Sequence, residues 1–206
     1  MEVVLAGDII GSQKNQPIAY LKTIEEVLKR YSSPNRFLIY RGDSFLAWMD
    51  RPELALDCVI ELKAALKRTA LLEVRIAIGL GSVTMIDNDI AKSTGTALTK
   101  SEELQDILKS KKQEIMIDSG RHLDVYMNSL LKMALLFMNE WTENAAATVY
   151  EMFKTPHITQ AELGKKLGVQ QATASRRLNR AHWQETQEVL SVFKHYYKDG
   201  SDGSID

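Results

Sequence analysis

The amino-acid sequence predicts an α+β protein. A ferredoxin-like antiparallel sheet, with helices on one face, is followed by an all-α region carrying a helix-turn-helix. Residues 1 to 120 alternate short β-branched and aromatic runs with amphipathic stretches. Their order is strand, helix, strand, strand, helix, strand, which is the split βαβ arrangement. From Arg121 onward only helical periods appear, and residues 155 to 198 hold seven Lys/Arg against three Asp/Glu in a chain whose net charge is −1. A basic segment attached to a slightly acidic domain fits a nucleic-acid-binding appendage.

With 206 residues, 45% hydrophobic and 26% charged, the chain can bury one ample core, and its composition is that of a soluble globular protein. The opening Met-Glu-Val-Val-Leu has no basic signal region, and no apolar run approaches the roughly 18 residues of a membrane span. The expectation is therefore a cytoplasmic protein with no membrane partner. A single cysteine, Cys58, excludes an internal disulfide and a cysteine zinc cluster. Its helical spacing from Leu54, Ala55, Val59 and Leu62 reads as a core thiol.

Element by element, Val3 to Ile10 reads as a buried central strand. Pro17 opens a helix to about Tyr31 whose inward stripe is Leu21, Ile24, Val27, Leu28 and Tyr31. Arg36 to Arg41 and Ser44 to Met49 are strands joined at Gly42-Asp43 in a tight hairpin. Pro52 starts a second helix to about Thr69, and Glu73 to Leu80 alternates as a strand. Gly81 to Ile86 reads as a further strand, followed by a loop at Asp87 to Asp89, a helix over 95–109 and a strand over 114–118. The helix with Leu123, Met127, Leu130, Leu131, Ala134 and Met138 has an unusually wide apolar face, which suits a core helix or a dimer seam.

Thr159-Gln-Ala-Glu162 is a capping box opening a short helix through Lys166. Gly168 serves a turn, and Gln170 to Arg180 forms a second helix. Leu163, Leu167, Val169, Ala174 and Leu178 form the expected core of this unit. It resembles the helix-turn-helix of bacterial transcription regulators over residues 159–180, with duplex DNA as the partner. Early residues of a recognition helix reach base edges and later basic ones meet phosphate. Gln170, Gln171 and Thr173 are then base readers, Ser175 and Arg176 serve either role, and Arg177, Arg180, Lys165 and Lys166 hold the backbone. A closing helix follows to 198, and 199–206 reads as a disordered tail.

Asp8, near the end of the first strand, and Asp43, before the third, lie at one end of a pair of antiparallel neighbours. Two such carboxylates, with the backbone N–H groups of Ile9, Ile10, Gly11 and Ser12, suit Mg²⁺ carrying the phosphates of a nucleoside triphosphate. Lys14 and Arg41 are further phosphate contacts. Against this stands a structural reading, in which Gly42-Asp43 serves the hairpin and Asp8 satisfies backbone N–H groups in its loop.

Asp8-Ile9-Ile10-Gly11-Ser12, Arg41-Gly42-Asp43-Ser44-Phe45, Val74 to Gly81 and Gly95-Thr96-Ala97 fall in the order of class III nucleotide cyclase domains. More closely, Gly7 to Ser12, Arg41 to Phe45 and Arg75 to Gly79 resemble the SatD family of bacterial proteins. The resemblance covers about the first 110 residues and implies a cyclase-like fold with Asp8 and Asp43 as metal aspartates. It also implies a homodimer, because cyclase sites form between two protomers. Thr99 and Glu103 stand where cyclases carry an asparagine and an arginine that stabilise the transferring phosphate. The functional expectation is a DNA-binding transcription regulator whose cyclase-like domain senses a nucleotide or mediates dimerisation. The alternative is a Mg²⁺-dependent cyclase-like or nucleotidyl-transfer enzyme with the helical part used for assembly or control.

Overall fold

A computed structural model describes residues 1–12 and 17–201. The chain begins with strand β1 (Glu2–Ile10), helix α1 (Pro17–Leu28), strands β2 (Phe37–Tyr40) and β3 (Ser44–Trp48), helix α2 (Ala55–Ala70) and strand β4 (Glu73–Gly81). A small hairpin of β5 (Thr84–Ile86) and β6 (Asp89–Thr94), helix α3 (Thr96–Lys111) and strand β7 (Ile115–Asp118) follow. The remainder is five helices: α4 (Asp124–Met138), α5 (Glu143–Lys154), α6 (Gln160–Lys166), α7 (Gln171–Arg180) and α8 (Trp183–Ser201). The protein is thus α+β, a five-stranded sheet with helices followed by an all-helical region.

The sheet has the order β2-β3-β1-β4-β7. β1 lies at its centre, antiparallel to β3 and to β4, with Asp8 opposite Ser44 on one side and Arg75 on the other. The sheet is mixed, correcting the fully antiparallel expectation, because β7 runs parallel to β4. The physical reason is the crossover through α3, which brings the chain back along its original direction.

Helices also cover both faces rather than one. Val3, Leu5, Ile9, Ile76 and Ile78 pack in one cluster with residues of α1 and α2. Val4, Ala6, Leu46 and Trp48 pack with Ala97 and Leu98 of α3 on the opposite side. The consecutive burial of Val3, Val4, Leu5 and Ala6, none more than 3% exposed, is what two-sided cover demands. Two further segments differ from expectation. Asp87 and Asn88 both have positive φ, 53° and 56°, and make a two-residue hairpin turn, so Asp89, expected in the loop, starts a strand over Asp89–Thr94. Residues 199–201 continue α8 instead of starting a tail; residues 202–206 lie outside the described part.

α2 is buried almost all round, with Asp57 the least buried position between Leu56 and Leu66. It touches α1 and β4, and also α5 and α8 of the helical region. Its Lys63, fully buried, bridges Glu73 at 2.6 Å and Glu114 at 2.7 Å. α8 closes the molecule: Tyr197 donates to the carbonyl of Met1 at 2.6 Å, and Arg121 donates to that of Tyr196 at 3.0 Å. No helix among the described residues is long and apolar enough to cross a membrane.

Candidate functional site

The sheet end carrying Asp8 and Asp43 is built by the β2–β3 hairpin. Arg41 and Gly42 both adopt positive φ, 55° and 81°, a conformation glycine takes without steric cost. Tyr20 of α1 donates to the Gly42 carbonyl at 3.0 Å and fixes the loop. Asp43 then hydrogen-bonds back to β1, its carbonyl accepting from Ile9 N–H at 2.9 Å. The two aspartates are therefore brought to one end of the sheet, but their carboxylates have separate partners. Asp43 accepts from Ser12 Oγ at 2.9 Å and from Ser44 Oγ at 3.3 Å. Asp8 accepts from Arg75 Nη1 at 3.0 Å.

This arrangement alters the phosphate cradle inferred from sequence. Ile9 N–H is already used by Asp43, and Ile9 and Ile10 belong to the β1–β4 ladder. Backbone groups committed to a sheet do not point at a ligand. Gly11 is exposed with φ of 77°, Ser12 is buried, and Arg41 is exposed. Lys14 lies outside the described residues. Among the described residues, no three His, Cys, Asp or Glu side chains are placed to hold a metal ion.

Asp8 instead opens onto a cleft of about 400 Å³ between the hairpin and α3, lined also by Tyr40, Arg41, Glu102, Gln105, Asp106 and Lys109. Burial and the Glu102 carboxylate push the Tyr40 phenol up, with Arg41 opposing. Gln105 is 8% exposed and donates from Nε2 to the carbonyls of Ala6 and, at 3.3 Å, Arg75. Asp8 Oδ1, Arg75 Nε and Gln105 Oε1 are buried without a partner. Arg75 and Gln105 were not singled out from sequence. Arg75 sits in an alternating strand that reads as ordinary, and Gln105 sits in a helix whose buried face the sequence does not mark.

The second candidate site is the α6–α7 pair. Thr159 and Glu162 form the capping box in both directions. Leu163, Ala174 and Leu178 make a small core with Leu167 and Val169 packed against it, uniting all five expected core residues. A Cβ on Gly164 would lie 2.8 Å from the Val169 carbonyl. The close approach of the turn to α6 therefore needs a residue without a side chain there, a requirement the sequence signals only as a second glycine.

Lys165, Lys166, Gln170, Gln171, Arg176 and Arg180 are exposed, whereas Thr173, Ser175 and Arg177 are half-buried. α7 presents two polar edges. Ala172, Ser175, Arg176 and Asn179 recur at helical spacing on the outward edge. Thr173, Arg177 and Arg180 line, with Arg176, a groove of about 550 Å³ against Thr142, Asn144 and Ala145 at the start of α5. Lys166 is tied down, donating to Thr155 Oγ1 at 2.6 Å and lying 3.4 Å from Glu151. Among the described residues, the hydrogen bond of Arg176 is to Thr173 Oγ1 at 3.2 Å. Asn179 is the residue on the outward edge that sequence reasoning passed over; its i, i+3 and i+4 spacing from Ser175 and Arg176 was the available signal.

Compared with known families and curated proteins, the sequence matches no family model and no curated relative.

Proposed function

We propose that the protein is a duplex-DNA-binding regulator in which α6 and α7 form the helix-turn-helix. The N-terminal domain, ferredoxin-like in the order of its first four strands and resembling class III cyclase and SatD-family domains, is then a sensing or pairing module. The observation that carries this reading is the outward edge of α7. It offers an amide, a hydroxyl and a guanidinium, on a helix presented immediately after a tight turn. Those groups match base-edge donors and acceptors, and the flanking Lys165 and Arg180 suit phosphate. The sheet end gives less support to catalysis, since Asp8 already pairs with Arg75, and Thr99 and Glu103 replace the cyclase transition-state residues.

Pairing of two copies is supported by α4. Val125, Tyr126, Met133 and Leu136 are 68%, 69%, 66% and 75% exposed on one helix, more apolar surface than a solvated helix face carries. A two-fold dimer binds two half-sites, so a palindromic duplex is the natural target. The test is titration of random-sequence duplex at low salt. Binding is expected to weaken about tenfold in Arg176→Ala and to fall steeply with added salt. Absence of any duplex binding at low salt would sink this reading.

One observation favours a second reading, a nucleotide held with Mg²⁺ at the sheet end: the unpartnered Oδ1 of Asp8 at the cleft wall. It requires Arg75 to release Asp8. Calorimetry of each nucleoside triphosphate with Mg²⁺ against the wild type and Asp8→Asn tests it, heat that is equal in both proteins counting against it.

A further inference from the structure

A cleft lies where the end of α1, α2, α5 and α8 meet, away from the sheet end but bordering the α6–α7 unit, since its lining residues Met152 and Trp183 also pack against the core of that unit. It has a volume of about 730 Å³, within the range of small-molecule sites. One side is apolar and aromatic, with Leu54, Met152, Phe153, Trp183 and Leu190, and the Phe153 and Trp183 rings meet edge to face at 5.4 Å. The other side is charged. Glu61 is fully buried with both oxygens taken, one by Arg30 and one by Tyr31 at 2.7 Å. Asp57 differs: Oδ1 accepts from Lys194 at 3.1 Å, while Oδ2 is buried and has no partner. Arg51, exposed on the rim, takes part in no salt bridge among the described residues.

We infer that this cleft binds a free α-amino acid with an aromatic or large apolar side chain. The ammonium group engages Asp57, the carboxylate engages Arg51 and Lys194, and the side chain lies against Phe153, Trp183 and Leu190. Three features of the lining select this class. The incompletely paired carboxylate calls for an N–H donor, because an unpaired buried acceptor costs free energy that a charged donor recovers. The floor charges are already matched one to one, so Arg51 leaves the cleft with a surplus cation and calls for an anion. The wall between them is apolar and flat. An amine alone would meet three cations, and an acid alone would leave Asp57 Oδ2 unsatisfied.

Oδ2 is shielded from water by its neighbours, and the ligand ammonium reaches it as the Lys194–Asp57 ion pair is exchanged. Lys194, whose side chain is 41% exposed on α8, leaves Oδ1 for the ligand carboxylate as the ligand ammonium takes Asp57. Glu61 cannot substitute, since Arg30 and Tyr31 hold it in place. Trp183 opens α8 directly after α7, so an occupied cleft touches the helix that follows the helix-turn-helix. The binding claim itself does not rest on DNA recognition, and it is measured without DNA.

The experiment is calorimetry of the full chain with L-phenylalanine, 2-phenylethylamine and 3-phenylpropionate. The wild type is expected to bind L-phenylalanine about tenfold or more tightly than either analogue, one charged hydrogen bond being worth about that factor. Arg51→Gln, at an exposed rim position, is expected to weaken L-phenylalanine about tenfold and leave 2-phenylethylamine unchanged. Asp57→Asn is expected to weaken L-phenylalanine and leave 3-phenylpropionate unchanged, with circular dichroism confirming its fold. No binding of L-phenylalanine or L-tryptophan at millimolar concentration overturns the inference. So does equal binding of the three compounds, or a loss in either variant that is the same for every compound.

Discussion

The sheet end and the α6–α7 unit both carry polar side chains but turn them in opposite directions. At the sheet end Asp8 faces Arg75, Asp43 holds Ser12 and Ser44, and Ile9 N–H is bonded to the hairpin. In α6–α7 the apolar residues form a core of their own, and Lys165, Gln171, Arg176 and Arg180 face solvent. The first pattern is that of groups holding a fold together; the second is that of groups left available to a partner. A carboxylate at the end of a strand is therefore weak evidence for a ligand until its intramolecular partners are known, while an exposed guanidinium on a short helix with a core of its own is stronger.

Mutations can break or sharpen this contrast. The largest effect is expected where inward pairing is deepest. Lys63→Ala removes the cation between Glu73 and Glu114 and should cost about 3 kcal/mol in a denaturant melt, with loss below about 1 kcal/mol showing that the network is not structural. Gly164→Val forces a side chain against the Val169 carbonyl; a loss of about 2 kcal/mol is expected, together with loss of duplex binding. Asp8→Asn leaves Arg75 a neutral partner in a setting where both side chains are about a fifth exposed, 21% and 17%, and should cost about 1 kcal/mol. Arg176→Ala is expected to change stability by less than about 0.5 kcal/mol while weakening duplex binding. An equal loss of stability in Asp8→Asn and Arg176→Ala would erase the distinction between the two regions.

A pH series adds a finer comparison. Burial pushes the Glu61 carboxyl up from its ordinary 4.5, with the Tyr31 hydrogen bond and the Arg30 charge opposing. A carboxyl raised in the folded state binds its proton more tightly folded than unfolded. Its contribution is thus fully present below pH 4.5 and is lost as pH rises through the folded value. The stability of the wild type relative to Glu61→Gln should accordingly decline with rising pH, and a flat difference between about pH 4 and about pH 8 would contradict the assignment.

Much of the architecture was legible in the residues. The strand and helix order through β4, the β2–β3 hairpin, the capping box at Thr159 and the five core positions of α6–α7 all follow from local periodicity or turn chemistry. What escaped depends on long-range geometry. The parallel pairing of β7 with β4 is set by where α3 delivers the chain. The buried face of α3 mixes Leu98, Leu104 and Leu108 with Ala97, Ser101 and Gln105, and which side of the sheet it covers is not written in that pattern. The run Val3-Val4-Leu5-Ala6 did contain the signal for cover on both sides, since a half-exposed strand would alternate. At the site, the identity of Asp8 and Asp43 was visible but their partners were not, because Arg75 reaches Asp8 from 67 positions away.

The all-round burial of α2 limits how the chain can be divided. Its contacts with α5 and α8 are interior surfaces, although the helices belong to different ends of the sequence. A cut near residue 120, where the fold changes from sheet to helices, would strip those partners from α2 and leave an adhesive fragment. The first 120 residues are consequently a poor expression unit by themselves, and a recombinant design that keeps residues 1–201 together should be the one that stays dispersed in solution.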